Sequence, residues 1–188
     1  MFYLPSNTVR TIAKCAAPAK DARALLTCVH VKDDRMQATD SFVHVIVYAT
    51  MTTGTMVTGA LFDAATLAKI KAGKTCVMRN DAIDVIDVTP AKASWETIEA
   101  APVLQTIEAS YMGAEHRYPK CDNLYAPDGQ NVPGEARINV SYLNKVLAVA
   151  GTVSERADVE TFEQNKPVAV SAISEVATMR GLIMPIRK

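Results

Sequence analysis

Apolar and polar residues alternate along much of the chain with the two-residue period of a β-strand. The segment ALLTCVHVKDDRMQATD has this alternation on both sides of Asp33 and Asp34, which predicts two strands joined by a turn. The next segment, FVHVIVYAT, is rich in β-branched residues and predicts a third strand. The sequence therefore indicates an antiparallel meander, and the same pattern predicts strands in KTCVMRNDAIDVIDVTP, KASWETIEA and VLQTIEASY.

Two segments before and after this meander have the spacing of apolar residues that is typical of a helix. Residues 6–23 predict a first helix, which Pro18 is expected to end or bend because proline cannot donate a helical hydrogen bond. The segment LFDAATLAKIKAG predicts a second helix, capped by Asp63 and closed by Gly73. The helix-plus-strands pattern thus begins a second time after the first meander.

A third copy of the pattern follows a segment rich in Pro, Gly, Asn and Asp. ARINVSYLNKVLAVAG predicts a helix that ends at Gly151. ADVETFEQNKPVAVSAI predicts a hairpin around Asn165-Lys166, and ATMRGLIMPI predicts a closing strand. The repeat recurs roughly every 60 to 70 residues and indicates an α+β fold of helix-plus-meander units.

Charge is balanced overall but segregated along the chain. Lys and Arg number 20, and so do Asp and Glu, so net charge alone does not predict a nucleic-acid partner. The first and second helix regions carry an excess of cations, whereas residues 81–115 hold seven acidic residues against Lys92. Two interpretations remain open: these are ordinary solvated faces, or the basic helices share one surface that faces a polyanion.

No catalytic or metal-binding constellation is apparent in the sequence. The four cysteines are scattered without a C-x-x-C pair, and two of the three histidines lie in apolar strands. Phosphate-binding glycine motifs and a G-x-S-x-G motif are absent. We therefore expect a binding or assembly module without enzymatic activity, cofactor or metal. The N-terminal segment MFYLPSNTV lacks the features of a secretory signal, so we expect a cytoplasmic protein.

Four short segments stand out in the chain: residues 35–41 (RMQATDS), Tyr118-Pro119-Lys120, residues 138–147 and residues 183–187 (IMPIR). In this order they resemble segments of the bacterial sliding clamp, the β subunit of DNA polymerase III. Residues 35–41, RMQATDS, resemble its A-T-D stretch, and Tyr118-Pro119-Lys120 resembles the aromatic-Pro segment that ends one clamp domain. Residues 138–147 resemble the last helix, and residues 183–187, IMPIR, resemble the terminal V-M-P-M-R. The resemblance implies the DNA-clamp processivity fold, in which basic helices line a channel for duplex DNA and the sheets form an outer ring.

The resemblance also implies two interfaces. Cations on the helices would contact DNA phosphates without reading the sequence. By position these are Arg10, Lys14, Lys20, Arg23, Lys69, Lys71, Lys74 and Lys145. In clamps the terminal strand borders an apolar groove for short peptides of polymerases and other partners. Carried over to this sequence, the groove residues are Thr39, Ser41, Phe42, His44, Met184, Pro185, Ile186 and Arg187.

The sequence departs from the clamp pattern in length and in motif residues. Residues 1–120 match one complete clamp domain, and 121–188 match a shortened second one that carries the C-terminal M-P-I-R strand. Ser41, Phe42 and His44 stand where clamps more often have a glycine, a histidine and a leucine. The apolar C-terminus is compatible either with the peptide groove or with a last strand that is merely buried.

The resemblance leads to two functional hypotheses. The first is a small processivity factor, of viral or mobile-element origin, that assembles as a homo-oligomeric ring around duplex DNA and tethers a polymerase. The second is a clamp-like module that binds clamp partners without encircling DNA. An unrelated α+β enzyme is the third interpretation, for which the sequence offers no catalytic residues.

Overall fold

The structure, a computed structural model, describes residues 1–54, 56–112, 118–119, 121, 124, 136–161 and 166–186. The strands are β1 (Phe2–Pro5), β2 (Cys28–Asp33), β3 (Arg35–Thr39), β4 (Val43–Ala49), β5 (Val57–Asp63), β6 (Thr75–Met78), β7 (Ala82–Ile86), β8 (Val103–Glu108), β9 (Tyr111–Met112), β10 (Asp158–Glu160), β11 (Val168–Ile173) and β12 (Ala177–Ile183). The helices are α1 (Ser6–Ala13), α2 (Ala64–Leu67), α3 (Trp95–Ala100) and α4 (Val140–Val153), with 3₁₀ turns at Ala24–Thr27 and Pro90–Lys92.

The strands form two antiparallel sheets. The larger sheet has eight strands in the order β10-β11-β12-β4-β3-β2-β5-β9, and the smaller has four in the order β1-β6-β7-β8. β12 pairs with β4 along its whole length, from Ala177 opposite Ala49 to Ile183 opposite Val43. Because these strands are far apart in the sequence, their pairing joins the C-terminal segment to the first meander.

One apolar core lies between the larger sheet and the helices α1, α2 and α4. Val45 of β4, Ile12 of α1 and Val146 of α4 belong to a single buried cluster, which also includes Ala64 and Leu67 of α2. Alternate residues of each strand face this core because successive side chains point to opposite faces of a sheet. The predicted α+β fold with antiparallel sheets is confirmed, and these three helices cover one face of the larger sheet.

The segment KASWETIEA, which the sequence predicts to be a strand, contains the helix α3, so this prediction is wrong. Ser94 Oγ accepts a hydrogen bond from the Thr97 backbone N at 3.2 Å, and Thr97 Oγ1 accepts one from the Ser94 N at 2.9 Å. This reciprocal capping box favours a helix start. Trp95 and Ile98, one turn apart, then pack against Tyr3 on the face of the smaller sheet that is turned away from the main core.

The first and second helices are shorter than predicted. α1 ends at Ala13, five residues before Pro18, where the sequence places the end or bend of this helix, and Lys14 to Ala16 form a turn and a bend. The predicted cap of α2 is confirmed, since Asp63 Oδ2 accepts a hydrogen bond from Thr66 N at 2.7 Å. The turn between β2 and β3 is also confirmed at Asp33, which has a φ of 56°.

The C-terminal segment contributes its strands to the sheet that the N-terminal segment begins. β10 pairs with β11, as the predicted hairpin requires, although Asn165 itself lies outside the described residues. β11 then pairs with β12, and β12 with β4. The division into units 1–120 and 121–188 stays a prediction, and the two segments share one continuous sheet.

Gly181 in β12 permits the close contact between this sheet and α4. A Cβ atom at this position would lie 2.5 Å from Cγ1 of Val146. We expect Gly181→Ala to lower the free energy of unfolding by about 1–3 kcal/mol, because the core is closely packed. Urea denaturation measures this loss, and Val146→Ala in the same chain should recover part of it.

Gly151→Ala is the matched control for this substitution. Gly151 lies in α4 with nothing within 4 Å of its Cβ position. Alanine has a higher helix propensity than glycine, so stability should stay constant or rise by up to about 1 kcal/mol. Equal destabilisation by both substitutions would show that the contact between Gly181 and Val146 is not the cause.

Candidate nucleic-acid and peptide interfaces

The cations predicted to contact DNA lie on or beside the helices that cover the larger sheet. Arg10 is half-buried and donates a hydrogen bond from Nε to the carbonyl of Ala68 at 3.3 Å, which joins α1 to the end of α2. Four of the predicted cations are exposed and form no ion pair with any residue that the structure describes: Lys14, Lys20, Lys69 and Lys71. This surface therefore carries unneutralised positive charge.

Two further predicted cations are held by acidic neighbours at the surface. Arg23 Nη2 lies 2.7 Å from Asp21 Oδ2, and this hydrogen-bonded pair lowers the pKa of Asp21 to about 2. Lys74 forms an ion pair with Asp87, and its hydrogen bond lowers the pKa of that carboxyl group. Both pairs are exposed to solvent, so they contribute little to stability but reduce the charge that DNA would meet.

Lys145 of α4 forms a more buried ion pair. Its Nζ lies 2.7 Å from Oδ2 of Asp40, whose side chain is buried, and 5.7 Å from the ring centroid of Tyr142. The thiol of Cys15 donates to the Lys145 carbonyl at 3.9 Å, and burial raises the pKa of this thiol to about 12. Lys145 therefore links α4 to α1 and to the turn between β3 and β4.

Asp40 organises the turn that connects β3 to β4. Its Oδ1 accepts hydrogen bonds from the backbone N of Phe42 at 3.0 Å and of Val43 at 2.9 Å. Ser41 has a φ of 79°, a left-handed conformation that costs free energy for any residue other than glycine. Ser41 Oγ also accepts a hydrogen bond from Arg23 Nη1 at 2.7 Å. The turn is thus held in a strained geometry by polar contacts on both sides.

Phe42 and the C-terminal residues form an exposed apolar rim. The ring of Phe42 stacks on Tyr142 with a centroid distance of 5.3 Å, and its carbonyl accepts a hydrogen bond from Met184 N at 2.8 Å. Phe42, Met184 and Ile186 are 52%, 37% and 54% exposed, and Pro185 is partly buried. The structure therefore brings together residues from both predicted walls, while the predicted groove residue Arg187 lies outside the described residues.

Thr39 and His44, which are also predicted groove residues, are buried within the sheet. Thr39 Oγ1 donates to the Val43 carbonyl at 2.6 Å. His44 Nε2 contacts Oε1 of Gln37 at 3.2 Å, and Nε2 of Gln37 contacts Nδ1 of His30 at 2.8 Å. These residues form a polar network across three strands, and they do not belong to the exposed rim.

Sequence reasoning missed two residues that shape this region. Asp40 lies in the A-T-D stretch, so the motif itself was the signal that pointed to it. Tyr142 has the apolar spacing of the predicted third helix, and this spacing predicts packing against the core but not a contact with Phe42. Its stacking with Phe42 depends on the β4–β12 pairing, which no local pattern predicts.

A cleft lies between α1, α2 and Lys145 on the helix side of the sheet. Its volume is about 350 Å³, and its walls are mostly alanine. The charged residues that line it are Lys14, Lys145 and Asp63. Asp63 accepts both its hydrogen bonds from Thr66, so its carboxylate is engaged by the start of α2.

Comparison with known proteins identifies the fold. No family model and no curated protein matches the sequence. The DNA polymerase sliding clamp of Bacillus subtilis matches with a TM-score of 0.61 and 14% identity, over 100% of this chain and 64% of the clamp. The DNA polymerase III β subunit of Thermotoga maritima gives 0.60 and 10%, over 100% and 65%. A Helicobacter pylori β clamp bound to a DNA ligase peptide gives 0.60 and 9%, over 97% and 63%.

The chain therefore has the fold of bacterial sliding clamps, and the predicted resemblance is confirmed at the level of the fold. It spans less than two thirds of the length of these clamps. Among the described residues no helix has the length and hydropathy needed to cross a membrane. The same residues contain no group of three or more acidic, His or Cys side chains arranged for a metal ion.

Replacing Ser41 with glycine tests the strain in the turn. We expect Ser41→Gly to raise the free energy of unfolding by about 0.5–1 kcal/mol, because glycine adopts positive φ without a steric cost. Urea denaturation measures the change. Asp33→Gly is the control, since Asp33 also has a positive φ but aspartate tolerates this conformation better. A loss of stability in Ser41→Gly would mean that its contact with Arg23 outweighs the strain.

Proposed function

We propose that this chain is a sliding-clamp-like DNA polymerase processivity factor that encircles duplex DNA as a homo-oligomeric ring and tethers a polymerase through a peptide groove. The observation that carries the proposal is the clamp fold over the full chain, together with the exposed lysines without an ion pair in the segments that follow α1 and α2: Lys14, Lys20, Lys69 and Lys71. In this role the protein acts in the cytoplasm without catalysing a reaction and needs no cofactor.

The contact with DNA would be electrostatic and independent of sequence. Arg10 and Lys14 are one helical turn apart on α1 and share a face. Lys69 and Lys71, in the segment that follows α2, extend the same positive surface. Such side chains attract phosphates but read no base edges, so binding weakens as salt is raised and the ring remains free to slide.

The peptide groove would lie at the exposed rim formed by Phe42, Met184 and Ile186. An apolar surface next to cations suits a peptide with a hydrophobic anchor and an acidic flank. Lys145 lies over the ring of Tyr142, which stacks on Phe42. Arg23 donates a hydrogen bond to Ser41, the residue before Phe42. In the Helicobacter pylori structure a clamp of this fold is bound to a DNA ligase peptide, which supports peptide binding as a role for this chain.

A second candidate function is a clamp-like module that binds partner peptides without encircling DNA. The observation that favours it is the charge of α4, whose single cation, Lys145, is paired with Asp40. Both candidates require the apolar rim for peptide binding, but only the first requires that the protein encircle DNA.

Reversing charge on α1 tests the first candidate. We expect Arg10→Glu combined with Lys14→Glu to abolish retention on closed circular duplex DNA, because two anions would then face the phosphates. Gel filtration of the protein mixed with circular or linear DNA measures retention. Lys92→Glu is the control, because Lys92 is exposed on a 3₁₀ turn away from the helix layer.

The two DNA forms separate the two candidates. A ring is retained on circular DNA and slips from the ends of linear DNA. Unchanged retention in the double variant would contradict the assigned DNA surface, and equal loss of wild-type protein from both DNA forms would favour the second candidate.

Shortening the C-terminus tests the groove. Deleting Met184–Lys188 should abolish binding of a peptide with an apolar anchor and an acidic flank, because it removes one side of the rim. Fluorescence anisotropy measures binding, and circular dichroism shows that the chain is still folded. Phe42→Ala should weaken binding from the other side of the rim. The control is Ile173→Ser, which alters an apolar residue that is 69% exposed at the β11–β12 turn. Peptide binding that survives both rim variants would place the groove elsewhere.

A further inference from the structure

The cleft between α1 and α2 has the form of a binding site rather than of a packing gap. Its volume of about 350 Å³ falls in the range of roughly 300–1,000 Å³ that is typical of ligand sites. Alanines 13, 16, 17 and 19 line one side, and alanines 64, 65 and 68 line the other. These short side chains leave the interior open and allow a ligand to approach the backbone closely.

The charged residues of the cleft favour an anion. Lys14 and Lys145 line it against the single carboxylate of Asp63, so its lining carries a net charge of +1. Asp63 is engaged by Thr66, and Lys14 has no ion-pair partner among the described residues. Lys145 also lines the cleft, and about a third of its side chain is exposed.

We propose that this cleft binds one phosphodiester group of the DNA backbone, held between Lys14 and Lys145. This proposal rests on the proposed function, because it assigns a fixed phosphate site to the positively charged surface beside α1 and α2. The other exposed lysines, such as Lys69 and Lys71, lie on open surface and act as diffuse charge. Lys14 and Lys145 therefore act together on the same phosphate.

Asp40 competes with the phosphate for Lys145. Its Oδ2 holds the Lys145 ammonium at 2.7 Å, while its Oδ1 holds the turn that carries Phe42. A phosphate in the cleft draws Lys145 away from Asp40 and so weakens one support of the turn. Phosphate binding in the cleft therefore changes the affinity of the apolar rim for a peptide. Thermodynamic linkage requires that peptide binding change the affinity for phosphate by the same factor.

A double-mutant cycle tests whether Lys14 and Lys145 share a phosphate. The probe is a short, fluorescently labelled blunt duplex, with binding measured by anisotropy over a series of salt concentrations. Lys14→Gln and Lys145→Gln should each reduce the slope of log K against log salt by about 0.9, and the double variant should reduce it by no more than either single. Lys14→Gln combined with Lys69→Gln is the comparison, and these two effects should add. Additive loss in the Lys14 and Lys145 pair would overturn the shared site.

Asp40→Asn tests the competition directly. Asparagine keeps an oxygen that can accept from Phe42 and Val43 but releases Lys145, so duplex affinity should rise several-fold. This gain should vanish when Lys145→Gln is also present. Asp87→Asn, which releases Lys74, is the comparison, and its effect should persist in the Lys145→Gln chain. If Asp40→Asn still raised duplex affinity in the Lys145→Gln chain, phosphate would not be competing with Asp40 for Lys145.

Inorganic phosphate separates failure of the cleft from failure of the proposed function. In ¹H–¹⁵N spectra of the full chain, added phosphate should shift the amides of Ala16 and Ala17 in wild type and in Lys69→Gln, but not in Lys14→Gln. Localised shifts without duplex binding and without retention on closed circular DNA would support the anion site and contradict the DNA role. Duplex binding without these shifts would support the DNA role and contradict the cleft.

Discussion

The antiparallel pairing of β4 with β12 is the constraint on which the rest of the structure depends. Seven consecutive residue pairs join strands that lie near opposite ends of the chain. This pairing extends the first meander into a sheet of eight strands and places α4 beside α1 on its core face. Gly181 allows α4 to lie close to β12, because any larger side chain would overlap Val146. The long-range pairing therefore determines both the core and the neighbourhood of the C-terminus.

Asp40 adds a polar connection where the same elements meet. One oxygen of its carboxylate holds the β3–β4 turn, and the other holds Lys145 of α4. A buried carboxylate is costly unless it is paired and hydrogen-bonded, and both conditions are met here. The strained Ser41 is held in place by these contacts rather than by its own preference. The ion pair between Lys145 and Asp40 thus connects the helices that cover the larger sheet with the apolar rim.

Local patterns in the sequence predicted most strands because alternation and turn residues act within a few positions. They predicted the β2–β3 turn at Asp33 and the cap at Asp63 for this reason. They misassigned KASWETIEA because Ala93 and Trp95 fit strand alternation, whereas Trp95 and Ile98 are three residues apart and share a face only in a helix, which the capping box of Ser94 begins. The stacking of Phe42 on Tyr142 and the burial of His44 follow from the pairing of distant strands, which short-range patterns do not encode.

The distribution of cations limits the kind of DNA contact that this fold can make. Within the described residues exposed lysines without an ion pair follow α1 and α2 but also occur elsewhere, as Lys32 of β2 and Lys92 do, whereas Lys145 of α4 is paired with Asp40. Exposed lysines attract phosphates through water, and salt screens this attraction beyond about 8–10 Å. One chain that contacted DNA through such lysines alone would therefore hold it only weakly. Long retention would require either several copies around the duplex or a fixed contact with a phosphate, and the alanine-lined cleft beside Lys14 offers a place for such a contact.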